Sequence, residues 1–398
     1  MTSDELTTKY VERMAEFLGP SRSDTDPYIR HYSSKQNSVS IHDAAGLSRM
    51  TNRNNIASPT QIVRSRQLLQ PISSTNLSER NLVCMAVKDE EVVVGGADHA
   101  AYVLKSSKDG KLKCVRKLYT KKSGHTDWVS AVGFLSDGRV VSAGMDSKIC
   151  VWRGTQSKDL IGHVGSISNI KSVGPSHIVS SSYDRSLKIW NSNQSSALAT
   201  LHGHKGAVLD LEILSENKLA SVGRDGLLVF WDIATHSLDW SVPAHVGHAT
   251  CISSHFEYSV IVTGGQDGTI RLWDTRDSSR VFEARISQNA AVTMLARHYD
   301  QQNITAVAAN DMVCIFDFRT NKLIHSWVEL NTNHLYAIKP CFDGSIVLGT
   351  GNGRMIHRGS NGELLSDLAV DTNAVRCVDV DRFGNFLLAT DDGNIITL

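Results

Sequence analysis

The stretch HIVSSSYDRSLKIW, residues 177–190, decides the fold of this 398-residue chain. It reads as a β-rich run, a tight turn around Asp184 and a second β-rich run that ends in Trp190. Three further stretches repeat this arrangement, and in all four copies the Trp lies six positions after the turn Asp: VVSAGMDSKICVW at 140–152, LASVGRDGLLVFW at 219–231 and VIVTGGQDGTIRLW at 260–273. The sequence therefore predicts a repeated pair of strands joined by a tight turn.

The repeat extends beyond these four copies. Eight turn positions align at a mean spacing of 42 residues, within the range of about 40–45 that is typical of a four-stranded propeller blade: Asp98, Asp146, Asp184, Asp225, Asp267, Asn310, Asn352 and Asp392. In the central four units a Gly-His pair lies upstream of the turn Asp, at one constant distance in the first three units and two positions closer in the fourth. A Ser or Thr lies four positions before each of these Asp residues.

With these motifs, residues 81–398 resemble the WD40-repeat β-propeller family, an all-β fold. The eight turn positions favour eight blades, and seven is the alternative if the weak first unit is irregular. The resemblance implies a buried hydrogen-bonded chain of His, Ser or Thr, Asp and Trp in each complete unit. The predicted sets are His125, Ser142, Asp146 and Trp152; His163, Ser180, Asp184 and Trp190; His204, Ser221, Asp225 and Trp231; and His248, Thr263, Asp267 and Trp273.

The outer units depart from this pattern. The position of the Trp carries Leu104 in the first unit and Arg358 in the seventh, and the last unit ends on its third strand at Leu398. We therefore expect these units to be held mainly by apolar packing. The family closes its ring by adding an N-terminal strand to the last blade, so we expect a strand within 36–73 there, with QIVRSRQLLQ (61–70) as first candidate and SVSIH (38–42) as the alternative.

Residues 1–80 are rich in Ser, Thr and Asn and are predicted to be a mostly flexible, mildly basic N-terminal arm. Its first part differs, because apolar residues recur at helical spacing from Leu6 to Phe17 before Gly19-Pro20. The sequence predicts a short amphipathic helix over about 3–18. Such a helix is marginal alone in water, so its apolar face either packs on this protein's own body or docks on a partner.

Composition excludes several classes of function. The chain has 41 Lys and Arg against 41 Asp and Glu, and this zero net charge argues against nucleic acid as a partner. It has no apolar N-terminal run or membrane-spanning stretch, and its seven cysteines are scattered without metal-site spacing. We therefore expect no membrane insertion, no cofactor, no metal and an intracellular location that is cytoplasmic, nuclear or cytoskeletal. A His, Ser or Thr, and Asp set that recurs in four consecutive units is structural, so we expect no enzyme.

The resemblance also implies a function, because WD40 propellers are mostly platforms that bind peptides and assemble complexes. In the family, partner contacts cluster on the narrower face of the ring, beside the first strand and just before the turn Asp. The matching residues are Trp128, Met145, Tyr183, Leu209, Arg224, Gln266, His334, Tyr336 and Arg376. Trp128 is the predicted anchor, and Arg224 or Arg376 is the predicted contact for an acidic or phosphorylated residue of the partner.

A second interpretation rests on two short motifs. Trp273-Asp274-Thr275-Arg276 and Phe316-Asp317-Phe318-Arg319 resemble the W-D-x-R boxes of substrate receptors for cullin–RING ubiquitin ligases. In that family the side of the propeller that carries this Arg contacts the adaptor, so Arg276 and Arg319 are candidate docking residues. The alternative is that each Arg pairs with a local acid.

Overall fold

A computed structural model of the protein describes residues 39–40, 71–120, 124–255, 259–276, 279–298, 304–309, 311–317, 320 and 322–398. The predicted helix at 3–18, the candidate closing segment at 61–70, the turn residue Asn310 and Arg319 lie outside these residues. The described part of the chain consists of strands, turns and loops without a helix, so the prediction of an all-β fold is confirmed.

Thirty-three strands follow one another along the described residues. In chain order they are β1 (Val39–Ser40), β2 (Ser73–Asn76), β3 (Leu82–Lys88), β4 (Glu91–Gly96), β5 (Ala101–Ser106), β6 (Leu112–Leu118), β7 (Val129–Phe134), β8 (Val140–Gly144), β9 (Lys148–Arg153), β10 (Gln156–Ile161), β11 (Ile167–Val173), β12 (His177–Ser182), β13 (Ser186–Asn191), β14 (Ala197–His202), β15 (Val208–Ser215), β16 (Lys218–Gly223), β17 (Leu227–Asp232), β18 (Ser237–Pro243), β19 (Ala249–His255), β20 (Val260–Gly265), β21 (Thr269–Asp274), β22 (Arg280–Arg285), β23 (Met294–Arg297), β24 (Ile304–Ala309), β25 (Met312–Asp317), β26 (Lys322–Val328), β27 (Leu335–Pro340), β28 (Ile346–Thr350), β29 (Arg354–Arg358), β30 (Leu364–Ala369), β31 (Val375–Val380), β32 (Phe386–Thr390) and β33 (Asn394–Thr397).

The strands from β3 onward form eight antiparallel sheets, which we number one to eight in chain order. Sheets one to seven each contain four consecutive strands, from β3–β6 through β27–β30, and sheet eight contains β31–β33 and β2. The first strand of each sheet contacts the first strand of the next, and β31 contacts β3, so the sheets form a closed ring. The weak first unit thus builds a complete sheet of its own.

In sheets one to five, seven and eight the second strand lies deepest in the fold. Every residue of β8 is buried, because this strand is flanked by two others and covered on both faces by neighbouring sheets. The fourth strand is an edge in sheets one to four, six and seven, and most residues of β18 are exposed. The core is therefore radial: each apolar cluster joins two adjacent sheets, as where Ile149 of sheet two packs with Ile178 and Trp190 of sheet three.

The ring closes through β2, which pairs with β33 from Ser73 opposite Thr397 to Asn76 opposite Asn394. This strand overlaps the expected range 36–73 only at Ser73, so the position of the closing strand differs from the prediction. The physical reason is that a sheet edge is half exposed, and the polar sequence SSTN fills it without an apolar pattern. Apolar contacts complete the closure, because buried leucines of sheets one and eight share a cluster.

The alternative closing segment, 38–42, contains β1. Val39 and Ser40 lie opposite Ala284 and Arg285 in a parallel pairing with β22. This segment therefore extends sheet five and does not pair with the last sheet.

Candidate partner-binding face

A buried hydrogen-bonded chain links the turn of sheet three to the connection that enters it. His163 Nδ1 lies 2.6 Å from Asp184, His163 Nε2 lies 2.7 Å from Ser180 Oγ, and Trp190 Nε1 donates to the same Oγ at 2.8 Å. Burial opposes ionisation of Asp184, but hydrogen bonds from His163 and Ser186 outweigh it and hold the pKa of this carboxyl well below its usual range. Every polar atom is satisfied if the Trp donates to Ser, Ser to His and His to Asp.

The same geometry recurs in sheets two and four. The distance from His Nε2 to Ser Oγ is 2.8 Å both for His125 with Ser142 and for His204 with Ser221. In each sheet the indole of the Trp, Trp152 or Trp231, donates to that Ser at 2.8 Å. The turn carboxylates complete the sets: Asp146 lies 2.9 Å from its His, and Asp225 lies 3.0 Å from its own.

In sheet five the structure brings together His245, Thr263, Asp267 and Trp273, not the predicted His248. His245 Nδ1 lies 3.0 Å from Asp267, its Nε2 lies 2.8 Å from Thr263 Oγ1, and Trp273 donates to that oxygen at 2.9 Å. The prediction of His248 was wrong because it followed the Gly-His pair. The spacing offered a better signal, since His245 lies one position further from the turn Asp than its counterparts in sheets two to four, whereas His248 lies two positions closer.

His248 instead lies on the narrow face, which we define as the end of the ring that carries the turns between second and third strands. In seven of the sheets the residue before the turn Asp or Asn donates its backbone N–H to the residue that precedes the first strand. The pairs are Ala97 with Asn81, Met145 with Trp128, Tyr183 with Ser166, Arg224 with Ala207, Gln266 with His248, Gly351 with His334, and Asp391 with Ala374. His248 thus occupies in sheet five the position that Trp128 occupies in sheet two.

Trp128, the predicted anchor, is only 9% exposed. Its backbone carbonyl accepts from Met145 N at 2.9 Å, which fixes it in the connection between sheets one and two. A side chain that is already buried in the folded chain has little area left for a partner, so Trp128 is a packing residue. The prediction erred because position alone does not specify the rotamer.

Arg376 is also committed within the chain. Its guanidinium makes two hydrogen bonds to the Asp391 carboxylate at 2.7 and 2.8 Å and lies 4.1 Å over the Tyr336 ring. The side chains of Arg376 and Asp391 are 6% and 8% exposed. Arg376 is therefore not a surface charge, and the predicted contact with an acidic partner falls to Arg224. His334 is exposed and Tyr336 is half-buried.

The remaining predicted residues form a cluster across sheets three to five. The Arg224 guanidinium lies 5.8 Å from the centre of the Tyr183 ring, and Gln266 Oε1 accepts from the backbone N–H of His248 at 3.2 Å. Burial lowers the pKa of His248, and the nearby charge of Arg224 lowers it further. We call Tyr183, Arg224, His248 and Gln266 the face cluster. All four are half-buried, as are the predicted residues Met145 and Leu209.

The outer sheets carry other polar groups where the His and Trp are missing, in addition to the apolar packing expected from the sequence. In sheet one, Asp98 accepts from Tyr102 Oη at 2.5 Å and from Lys117 Nζ at 3.2 Å. In sheet seven, Arg358 stands at the Trp position and makes two hydrogen bonds to Glu329 at 2.7 and 2.8 Å. Polar partners thus remain where the motif is lost.

Sheet eight places a carboxylate near the His position. Asp371 accepts from Thr390 Oγ1 at 2.5 Å and from Asn394 Nδ2 at 3.1 Å. Burial and the adjacent Asp392 raise the pKa of Asp371. For Asp392 burial acts in the same direction, but hydrogen bonds from Asp371 and Asn373 lower its pKa to about 2. The two carboxylates therefore influence each other's protonation, and the raised pKa falls on the more buried Asp371.

Arg276 lies at the opposite end of the ring, which we call the wide face. Its guanidinium binds Asp274 with an Nε–Oδ1 distance of 2.9 Å and lowers the pKa of that carboxyl. The Arg276 side chain is 74% exposed. Arg319, its predicted counterpart, lies outside the described residues.

Comparison with known families identifies the repeat. The family model for "WD domain, G-beta repeat" matches four consecutive segments, residues 112–153, 154–191, 195–232 and 238–274. A p21-activated protein kinase-interacting protein 1-like from Danio rerio is 30% identical over 126 residues, which cover 32% of this chain and 33% of that protein. The small ribosomal subunit protein RACK1 of Schizosaccharomyces pombe is 30% identical over 95 residues, 23% of this chain and 29% of that protein. The chain thus aligns with a third or less of these relatives.

Solved structures share the fold at low sequence identity. The designed protein Ika8 superposes with a TM-score of 0.72 at 24% identity, covering 83% of this chain and 99% of that one. Sqt1 of Saccharomyces cerevisiae superposes with a TM-score of 0.73 at 14% identity, covering 82% of this chain and 98% of that one. The WD40 beta propeller domain of Doa1 superposes with a TM-score of 0.56 at 17% identity, covering 82% of this chain and 95% of that one.

Within the described ranges, no helix has the length and apolar character needed to cross a membrane.

Proposed function

Because the chain belongs to the WD40-repeat β-propeller family, we propose that it is a non-catalytic scaffold that binds partner proteins through the face cluster. The partner we propose is a peptide segment with an acidic or phosphorylated residue beside an apolar one. All seven cysteines are free thiols, which supports the intracellular location expected from the sequence.

One observation carries this proposal. His248 Nδ1 is buried and has no hydrogen-bond partner among the described residues, and it lies beside Arg224 on the narrow face. An unpaired buried polar atom is costly, so binding is favoured if the half-buried ring turns its Nδ1 toward a ligand that supplies a donor or acceptor. Arg224 and Tyr183 add a cation and an aromatic ring, two side-chain types that are enriched in protein interfaces.

The test compares Arg224→Glu with Arg153→Glu, which reverses the charge of an exposed arginine outside the face cluster. Partners recovered by affinity purification and mass spectrometry are then assayed as synthetic peptides. We expect Arg224→Glu to weaken binding of acidic peptides about tenfold or more and Arg153→Glu to leave it unchanged. Trp128→Ala is unsuitable as a probe here, because loss of a buried Trp destabilises the fold.

Equal recovery of all partners by wild type and both variants, with unchanged thermal melts, would contradict the face cluster as the binding surface.

A second candidate function is docking on a ligase adaptor. It is favoured by the exposure of Arg276 at the wide face, although this side chain already pairs with Asp274. Arg276→Ala should then abolish co-purification of a cullin–RING adaptor and leave peptide binding to the face cluster intact. Recovery of the same proteins by wild type and variant excludes this role.

A further inference from the structure

The wide face carries a groove at the mouth of the central channel, between sheets one, two and three. Two cavities of about 320 and 520 Å³ adjoin there and share Phe134 and Ser172 in their walls. Met85, Val132 and Ile170 complete an apolar floor, and Lys88 and Lys171 lie at its edges. We call this the wide-face groove.

The residue at the fifth position of a sheet's first strand explains why the groove lies there. In sheets three and four this position carries Lys171 and Glu212, whose charged atoms lie 3.2 Å apart, and in sheets seven and eight Lys339 and Asp379, 2.6 Å apart. In sheets one and two it carries Ala86 and Gly133. A Cβ built on Gly133 meets no atom within 4 Å, so the channel wall is open at this point.

The groove has a positive edge. Lys88 Nζ donates to the carbonyl oxygens of Leu135 and Ser136 at 2.8 and 3.0 Å, which holds the ammonium at the rim. Lys171 supplies the second cation, and Glu212 balances it from outside the cavity wall. The described residues that line the two cavities include no carboxylate. An apolar surface with acidic side chains is the complement of this groove.

The N-terminal segment that ends at Leu18 has that character. Leu6, Tyr10, Met14 and Phe17 share the apolar side of the predicted helix, and the same segment carries Asp4, Glu5, Glu12 and Glu16 against Lys9 and Arg13. The rest of the arm is basic, because the stretch from Arg30 to Arg80 holds seven Lys and Arg against two acidic residues. That stretch is a poor match for a lysine-edged groove.

The path of the chain also leads to this face. Ser73 pairs with Thr397 at the wide end of sheet eight, and Ile72 N donates to the Thr397 carbonyl at 2.8 Å. The Ile72 side chain lies against the Gly110 turn of sheet one. The linker between position 18 and β1 can span up to about 70 Å when extended, so the pairing of β1 with sheet five leaves the groove within reach.

We propose that residues 3–18 dock as an amphipathic helix in the wide-face groove of the same chain. The apolar side of the helix covers Met85, Val132 and Phe134, and its carboxylates approach Lys88 and Lys171. Docking supplies the partner surface that a helix of this length needs in order to form in water. The tether makes the contact intramolecular, at an effective concentration in the millimolar range.

Amide hydrogen exchange of the full chain tests this, with a synthetic peptide of residues 1–20 as the unprotected reference. We expect amides of residues 6–18 to exchange at least tenfold more slowly in the full chain than in the peptide. Gly133→Leu, which fills open space in the groove, should restore the rate of the peptide. Ser253→Leu is the matched control, because it places the same side chain at the equivalent position of sheet five and should preserve protection.

Lys88→Gln keeps the test decisive if Gly133→Leu does not fold, because it removes only the charge at the rim. It should accelerate exchange of the helix about twofold to fivefold, as expected for one exposed ion pair. Exchange of the wild-type segment at the rate of the peptide overturns the proposal. So does protection that survives both groove variants, which places the helix elsewhere, or protection that rises with protein concentration, which assigns the groove to a second copy.

Discussion

Sheets two to five and the outer sheets one, seven and eight build the same four-stranded unit with different polar chemistry. In sheets two to five, a His bridges the turn Asp to a Ser or Thr that also accepts from a Trp. In the outer sheets, a Tyr and a Lys, an Arg–Glu pair or a pair of carboxylates occupies the equivalent region. The fold therefore requires that the turn be tied to its surroundings, and several polar arrangements meet that requirement.

The largest expected effect compares the turn Asp of sheet three with that of sheet one. Asp184→Ala removes the acceptor for His163 Nδ1 and leaves a buried ring nitrogen unpaired. We expect a loss of about 3 kcal/mol in the free energy of unfolding. Asp98→Ala in sheet one should lose only about 1 kcal/mol. Its partner Lys117 is half exposed and regains hydrogen bonds to water, so the cost comes mainly from the Tyr102 hydroxyl, which loses its acceptor. Urea unfolding measures both, and equal losses would contradict a distinct role for the buried chain.

The next comparison separates the two histidines of sheet five. His245→Ala removes the bridge between Asp267 and Thr263 and should cost about 2 kcal/mol. His248→Ala should change the unfolding free energy by less than about 0.5 kcal/mol, because the half-buried ring adds packing but its buried Nδ1 has no hydrogen-bond partner among the described residues to lose. Thermal melts of the two variants rank them directly. A larger loss for His248→Ala would mean that the Gly-His pair carries the structural role after all.

A third prediction concerns restoration of the motif in sheet seven. Arg358→Trp installs the residue that the repeat favours, but it leaves the buried Glu329 carboxylate without its guanidinium. We expect a loss of about 1–2 kcal/mol rather than a gain, because an unpaired buried charge is costly. The double variant Arg358→Trp/Glu329→Leu should recover most of it. If Arg358→Trp alone stabilises the protein in urea unfolding, the ion pair is not what holds this sheet.

The smallest effect distinguishes the pH dependence of sheet eight from that of sheet five. The raised pKa of Asp371 means that the fold favours the protonated form, so this stability is present below the unfolded pKa of about 3.9 and is lost as pH rises through the folded pKa. Asp267 has a lowered pKa, so its contribution is present at neutral pH and is lost in acid. Relative to wild type, Asp371→Asn should therefore gain unfolding free energy between about pH 3.5 and neutral pH, and solvent screening of this partly exposed group limits the gain to about 0.5 kcal/mol or less.

Unfolding curves of wild type and Asp371→Asn at several pH values give that difference. A difference that stays constant across this range would show that folding does not raise the pKa of Asp371.

The repeat itself and most of the buried chain were predictable, because the six-position step from Asp184 to Trp190 reports a tight turn and one strand, which are local features. The predictions failed where the residues that interact lie in different sheets or in the connection between two sheets. The interval from the structural His to the turn Asp is one residue longer in sheet five than in sheets two to four. The pair Gly247-His248 therefore led to the choice of His248, whereas His245 is the residue that binds Asp267. In the outer sheets no motif indicated that Arg358 would find Glu329, because these residues come from different sheets.

The sequence by itself determined the all-β propeller, the order of its strands and the position of each turn Asp, because a hairpin is specified by residues a few positions apart. Only the tertiary structure decided the state of the face residues. Trp128 is buried and Arg376 is paired with Asp391, whereas Arg224 and His248 lie together on the narrow face. It also decided that the polar strand β2 closes the ring. These outcomes depend on contacts between residues far apart in the chain, and neither composition nor spacing encodes which of several available partners a side chain meets when the sheets pack.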